Sequence, residues 1–381
     1  MIEELRKKID AIDDRIADLY LERQSVAKEI GEEKARNRSA VADPSREKKI
    51  IARVTKSADE EQKIYLKRVF ETIMETSRAY QRRLVSPVTP LSDELRKALM
   101  EGKQYFPVSS SVACQGVEGS YSSIAADKLF EIADITYFRN FEGVFQAVEK
   151  GLCDYGVLPI ENSAVGSVNA VYDLMKKHHF YIVRSIKLKI CHHLLAKKGA
   201  TLAGIKEIYS HEQAIGQCSE YLQKFAKNAK VIPCANTAVA AEAVASSDRT
   251  DIACISSRSC ADIYDLAVLD SNIQDNDSNY TRFICISKTL KIFAPANRIS
   301  IMMSLPHESG ALNRVLNKFS TLGLNLTKLE SRPVPGTDFE FMFYFDFEGQ
   351  IENSDTLALV AELDQGSDLF VFLGSYYEVS Q

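Results

Sequence analysis

The run Asp275-Asn276-Asp277-Ser278-Asn279-Tyr280-Thr281-Arg282-Phe283 leads directly into Ile284-Cys285-Ile286. Asp, Asn and Ser bond to their own backbone and favour turns, so its first half reads as a loop. The apolar residues from Phe283 read as a buried strand. A loop that empties into a buried strand is where α/β proteins hold reacting groups. Thr281 and Arg282 stand at that junction, a hydroxyl donor beside a permanent cation. Working outward, strands and helices alternate back to about residue 108, and a purely helical pattern precedes them. A third pattern begins near Asn297.

A chain of 381 residues predicts two or three domains, and an apolar fraction of 45% supports ordinary cores. The formal charge of −5 and the lack of a long Lys/Arg block argue against nucleic acid as a partner. No run reaches the roughly 18 apolar residues of a membrane span. The charged, amphipathic start Met1-Ile2-Glu3-Glu4-Leu5-Arg6-Lys7-Lys8 has no signal core, so a cytoplasmic protein is expected. The eight cysteines form no CxxC pair and lie mostly in apolar runs, which fits buried thiols in a reducing compartment. Two adjacent histidine pairs, His178-His179 and His192-His193, lack the i, i+4 spacing of a helical zinc site, so no metal is expected.

Residues 2 to about 36 carry apolar positions at Ile2, Leu5, Ile9, Ile12, Ile16, Leu19, Val26 and Ile30. Steps of three and four describe a helix with a narrow seam, about 50 Å long. That is too long for a lone module of this size, so pairing with a second copy is expected. Arg23 falls on the seam, where a guanidinium is costly without an anion; a carboxylate on the partner helix is one way to supply it. Lys34 follows Ile30 on the same face. Asp43-Pro44 predicts a break, with Asp43 as cap and Pro44 opening a short helix that carries Arg46 and Glu47. A third helix over 60–84 has Ser77 and Gln81 interrupting its apolar stripe.

Leu5-Arg6, Glu22-Arg23, Gly31 to Lys34, Asp43, Arg46-Glu47, Ser77 and Gln81 together resemble the all-helical chorismate mutases over 2–84. The resemblance implies that Arg23 and Arg46 grip substrate carboxylates, with Arg6 arriving from the other subunit. It implies Lys34 and Gln81 as donors to the ether oxygen and Glu47 on the substrate hydroxyl, assisted by Asp43 and Ser77. The rearrangement is pericyclic, so such a site acts by holding one conformer and stabilising charge.

Past Ser86-Pro87-Val88-Thr89-Pro90 comes a short helix and a connector to Pro107. Strands are expected at 112–114, 155–160, 205–209, 230–234, 252–256 and 282–287, and helices up to Phe130 and at 141–150, 169–178, 212–226 and 237–247. This pattern is doubly wound α/β, two lobes with a cleft. Gly116-x-x-Gly119-Ser120-Tyr121-Ser122, Pro159-Ile160-Glu161-Asn162-Ser163, Tyr209-Ser210-His211, Gln217-Cys218 and Asn279-Tyr280-Thr281-Arg282-Phe283 resemble prephenate dehydratase across 111–288. Val117 departs from that family, which usually has Pro there. The resemblance implies Thr281 as the essential donor and Arg282 as an anion partner beside it. Ser120, Glu161, Asn162, Ser163, Ser210, His211, Gln217 and Asn279 would contribute to the pocket.

From Asn297 the order strand 298–305, helix 309–322, strands 326–332 and 339–347, helix 355–363 and strand 369–376 is ferredoxin-like. Gly310-Ala311-Leu312 and Glu330-Ser331-Arg332 resemble the ligand motifs of the ACT domain, with Asn313 standing where that family often has an apolar residue. Such domains pair and hold an amino acid, which implies feedback by L-phenylalanine.

The combined expectation is a multidomain chain: an all-α mutase bundle as an intertwined helical dimer (1–88), a linker (89–107), a two-lobed α/β dehydratase (108–290) and an α+β ferredoxin-like ACT domain (297–381). It would convert chorismate to prephenate and prephenate to phenylpyruvate, without cofactor or membrane partner, as a homo-oligomer, dimer or tetramer. The motifs do not separate prephenate from arogenate. Two lobes with a cleft also describe an amino-acid-responsive binding protein, an alternative that Thr281 beside Arg282 and the complete mutase set argue against.

Overall fold

The computed structural model describes every residue except 38, 40, 85–88, 103, 334–340 and 381, and only the backbone of 82–84. The expected break at Ser86-Pro87-Val88 and the expected strand start at Phe339 lie outside the described residues. The chain opens with helices α1 (Ile2–Asn37), α2 (Pro44–Val54), α3 (Glu60–Leu84) and α4 (Pro90–Met100). Polar side chains pin α1 to α3. Gln24 Nε2 donates to Thr76 Oγ1 at 3.2 Å, and Gln81 Nε2 donates to the Ala27 carbonyl at 2.9 Å. Asp43 caps α2 as expected, accepting from the Arg46 amide at 2.9 Å. Within one chain the α1 seam is left largely uncovered. Only Ala27 and Gly31 bury, while Ile2, Leu5, Ile9, Ile12, Ile16 and Leu19 are all more than half exposed, Ile12 the least at 51%.

The central body follows as β1 (Ser109–Gln115), α5 (Tyr121–Leu129), β2 (Ile132–Phe138), α6 (Phe141–Glu149), β3 (Tyr155–Asn162), α7 (Asn169–Lys177), β4 (Tyr181–Lys189), β5 (His193–Ala196), β6 (Glu207–Ser210), α8 (Glu212–Gln217), α9 (Ser219–Phe225), β7 (Lys230–Pro233), α10 (Thr237–Ser246), β8 (Ile252–Ser256), α11 (Arg258–Ile263), β9 (Ala267–Asp270) and β10 (Tyr280–Ser287). One lobe has strand order β4-β10-β3-β1-β2, with β1 parallel to β2 and β3, and β10 antiparallel to both neighbours. The other has order β9-β5-β8-β6-β7. The chain crosses between lobes at 190–192 and again at 271–279, so the Asp/Asn-rich run is a hinge segment.

Two expectations are corrected here. β10 begins at Tyr280, not Arg282, because Thr281 is already paired with Asn162 on one side and Leu188 on the other. The single helix expected over 212–226 is two helices. Asp275 divides them: its amide donates to the Gln217 carbonyl at 2.7 Å, and its carboxylate accepts from Ser219 Oγ at 2.8 Å and the Glu220 amide. One residue thus closes α8 and caps α9. In the strand-to-helix turn after β1, Gly119 has φ +81°, and a Cβ there would lie 2.7 Å from Cys260 Sγ. Glycine is required on both counts.

The last part is β11 (Arg298–Leu305), α12 (Ala311–Thr321), β12 (Leu326–Pro333), β13 (Phe341–Glu348), α13 (Ser354–Gln365) and β14 (Phe370–Val379). The βαββαβ order is as read, with β13 antiparallel between β11 and β12. Arg68 Nη2 on α3 donates to Asn313 Oδ1 on α12 at 2.9 Å, which gives the polar residue at 313 a partner. Met1–Gly102 with Asn297–Phe372 form one compact unit, and Lys103–Ala296 with Leu373–Gln381 a second, so the boundary falls inside β14. Its residues Tyr377–Val379 pair in parallel with Arg184–Ile186 of β4. All eight cysteines are free thiols, buried or half-buried. No described helix is long and apolar enough to cross a membrane.

Candidate active sites

In the helical part, a cavity of about 570 Å3 is lined by Arg23, Lys34, Asp43, Arg46, Glu47, Ser77 and Gln81, with apolar Leu19, Val26, Ile30, Ile50 and Met74. α1 supplies two of the cations, α2 the third and the carboxylate, and α3 the hydroxyl and amide. Among the described residues Arg23 Nη1 bonds neutral groups, Ser77 Oγ and the Ile73 carbonyl, and burial lowers its pKa below the ordinary value. Lys34 Nζ likewise meets the Val41 carbonyl at 2.5 Å and Gln81 Oε1 at 3.4 Å. Half-buried cations with neutral partners favour an incoming anion. Arg6 is exposed on α1 and does not line this cavity within its own chain.

Two further cations were not singled out in the sequence. Arg53 lines the same cavity. Arg78 pairs with both Glu47 and Glu75; burial pulls its pKa down, and the two carboxylates more than offset this, holding it above its ordinary value. Glu47 is therefore oriented by a neighbour on α3 rather than standing alone.

Between the two lobes of the central body lies a cavity of about 530 Å3. Thr281 and Asn162 face it side by side on β10 and β3. Asn162 Nδ2 donates to Thr281 Oγ1 at 2.8 Å, and its Oδ1 accepts from the amides of Ala164 and Val165. Thr281 thus receives one hydrogen bond, which leaves its own O–H to donate. Ser120, His211 and Gln217 also line the cavity, as expected. His192 Nε2 lies 2.8 Å from Gln217 Oε1, and burial holds the His192 pKa below its ordinary value, so the ring is a neutral donor to Gln217. Tyr121, whose hydroxyl donates to the hinge carbonyl of Cys191 at 2.6 Å, completes the wall with Gln213, Asn236, Thr237, Phe141 and Phe283.

Five expected pocket residues do not line this cavity. Glu161 and Arg282 are cross-strand neighbours that alternate with Asn162 and Thr281, so their side chains leave from the opposite face of the sheet. Arg282 is ion-paired there with Glu378 at 2.8 Å. Ser210 Oγ donates to the buried Ile255 carbonyl at 2.8 Å. Ser163 Oγ donates to the Ser278 carbonyl and accepts from the Tyr280 amide, fixing the start of β10. Asn279 Oδ1 accepts from Asn162 Nδ2 at 2.8 Å and supports the site from behind.

With Arg282 turned away, no Lys or Arg lines the cleft cavity among the described residues. The positive end of α5, capped by Ser120, and that of α10, capped by Asn236, open onto it instead. Helix-start amides suit carboxylates without a formal counter-charge. Among the described residues no group of three or more His, Cys, Asp or Glu is placed to hold a metal ion.

In the C-terminal part, no side chain caps α12 at Gly310. Gly310 and Ala311 border cavities shared with α3. Leu312 is half-buried in the first turn of α12. Glu330, Ser331 and Arg332 lie on β12, at the end of the strand order, where Glu330 pairs with Lys328 at 3.2 Å.

Comparison with known proteins agrees with this division. The family profile for chorismate mutase type II matches residues 5–82, and that for prephenate dehydratase matches 112–291. The bifunctional chorismate mutase/prephenate dehydratase of Escherichia coli is 32% identical, over 98% of this chain and 95% of its own. An arogenate dehydratase/prephenate dehydratase of Arabidopsis thaliana is 34% identical over 75% of this chain and 76% of its own. The crystal structure of prephenate dehydratase from Arthrobacter aurescens, in complex with L-Phe, superposes with a TM-score of 0.64 at 29% identity, covering 70% of this chain and 90% of that one. With both profiles in order on one polypeptide and a bifunctional relative matched nearly end to end, the chain belongs to the chorismate mutase/prephenate dehydratase family and is an enzyme with both activities.

Proposed function

We propose that the helical cavity converts chorismate to prephenate and that the interlobe cleft converts prephenate to phenylpyruvate. The observation that carries this is a pair of cavities of opposite chemistry in one chain. One is rich in cations, of which Arg23 and Lys34 bond neutral groups; the other has no Lys or Arg among the described residues and is lined by hydroxyls, amides and helix starts.

In the first, Arg23 and Arg46 take the carboxylates of chorismate, and Lys34 with Gln81 donates to the ether oxygen as its bond to carbon breaks. Glu47, held by Arg78, takes the substrate hydroxyl, and Arg6 completes the site from a second copy. The exposed apolar face of α1 supports that pairing, because about 50 Å of helix then buries a continuous seam. In the second, the ring carboxylate leaves as carbon dioxide and its bonding pair enters the ring. The ring expels hydroxide, which takes up a proton as water. Thr281 donates a preorganised hydrogen bond to the departing hydroxyl while Asn162 holds its oxygen from behind. The starts of α5 and α10 receive the carboxylates.

The βαββαβ part is the ACT regulatory domain in this reading, and L-phenylalanine its effector, bound near Gly310 to Leu312 and Glu330 to Arg332. The complex of the Arthrobacter relative with L-Phe supports that choice. The Arabidopsis relative favours a second reading of the cleft, in which arogenate is also accepted. Purified chain given chorismate alone, with and without L-phenylalanine, tests the whole. Phenylpyruvate that falls when phenylalanine is added is expected. Prephenate accumulating without phenylpyruvate would overturn the cleft assignment, and turnover unchanged by Lys34→Ala would overturn the mutase one.

A further inference from the structure

Arg282 stands next to Thr281 in the chain, yet its partners come from the last strand. On the face of β10 away from the cleft, Arg282 Nε is 2.8 Å from Glu378 Oε2, and Arg282 Nη2 donates to the Tyr376 hydroxyl at 2.6 Å. Both charged side chains are buried. Glu378 also accepts from Ser185 Oγ at 3.3 Å and pairs with Lys187 at 3.2 Å, both on β4. The docking is keyed by the backbone as well. Gly374 has φ +148°, and a Cβ there would lie 2.1 Å from the Ile182 carbonyl oxygen. Only glycine lets β14 approach β4 so closely.

A buried ion pair is a weak source of stability, because desolvation offsets most of the attraction. Here the contacts of Arg282 and Glu378 join β10, β14 and β4. Thr281 and Arg282 are consecutive on a strand, so a shift of the backbone that moves one side chain moves the other. We propose that Glu378 and Tyr376 are positioning residues for the dehydratase reaction. They hold Arg282 and thereby fix Thr281, and β14, which begins in the C-terminal part, ties that placement to the regulatory state of that part. The inference rests on the reading of Thr281 as the hydroxyl donor. It gives Arg282 a role without contact to substrate.

The test uses the full-length chain with Glu378→Gln, Tyr376→Phe, Arg282→Gln, the Arg282→Gln/Glu378→Gln double variant and Thr281→Val. Mutase turnover on chorismate in the same preparations reports folding. Glu378→Gln is expected to lower dehydratase kcat about tenfold or more, with KM held within about twofold, and to weaken inhibition by phenylalanine. Tyr376→Phe should move kcat in the same direction by less. The double variant should be no worse than Arg282→Gln alone, because the residues act as one unit. Unchanged kcat in Glu378→Gln, a change confined to KM, or losses that multiply in the double variant would each overturn the proposal. If Glu378→Gln also loses mutase turnover, Tyr376→Phe decides: reduced kcat with full mutase turnover upholds the proposal, and unchanged kcat overturns it. Dehydratase turnover surviving in Thr281→Val would sink the parent assignment instead.

Discussion

Thr281 accepts one hydrogen bond from Asn162 and has one left to give, so its role can be tested a single group at a time. Thr281→Ser keeps the hydroxyl and should retain dehydratase kcat within about tenfold. Thr281→Val keeps the shape and loses the donor, and should lower kcat by about 10²–10³, the range for one preorganised donor at a developing charge. Phenylpyruvate formation from prephenate measures both, and full turnover in Thr281→Val would exclude the role. Asn162 and Thr281 were legible because each lies in a short run of polar residues at one end of a strand, whereas Gln217 closes α8 between Gly216 and Cys218 and was singled out by the resemblance alone. Arg282 was misread for a related reason. The run shows that a strand is coming, but not the residue at which pairing starts, and strand phase decides which of two neighbours faces the cleft. His192, Asn236 and Thr237 carry no local signal; they reach the cavity because two lobes close on it.

Helix α3 shows how much one element can disclose and what it hides. Ser77 and Gln81 stand out as polar residues at i, i+4 on an apolar stripe, so their inward direction is readable. Arg78 lies one residue off that stripe, and only the fold brings Glu47 of α2 within its reach. A guanidinium between two carboxylates fixes both, and Glu47 lines the cavity of the helical part. Arg78→Met should therefore lower mutase kcat/KM by about tenfold, from about 1–2 kcal/mol of lost orientation, and leave dehydratase turnover on prephenate unchanged. An unchanged mutase rate would mean that Glu47 is held without it. The break between α8 and α9 was not readable at this scale, because its cause, Asp275, lies in the hinge more than fifty residues away.

At the scale of the whole molecule, the three-part order along the chain could be read from changes of hydrophobic period, whereas the boundary inside β14 could not, since a strand's sequence does not show which sheet its far end joins. Burial holds both His192 and His193 below their ordinary value of 6.5, His193 with added repulsion from Arg258 and His192. Above that pH neither folded nor unfolded chain carries the protons. Below it the unfolded chain takes them up first, so stability falls as pH drops from 6.5 toward the lower folded values. The melting temperature of the central body should drop between about pH 7.5 and 5.5, and His192→Gln should flatten that slope. Subunit pairing admits a sharper test. If Arg6 serves the mutase site of the opposite chain, Arg6→Ala and Lys34→Ala chains are each inactive alone. In a mixed dimer, one site receives Lys34 from its own chain and Arg6 from its partner, while the other site lacks both. Random mixing makes half the dimers mixed, with one site of two restored, so chorismate turnover should return to about a quarter of the native value. Arg6 acting within its own chain would give no recovery at any mixing ratio. Ile9→Glu with Ile16→Glu, placed on the exposed face of α1, should abolish the recovery by preventing the pairing itself.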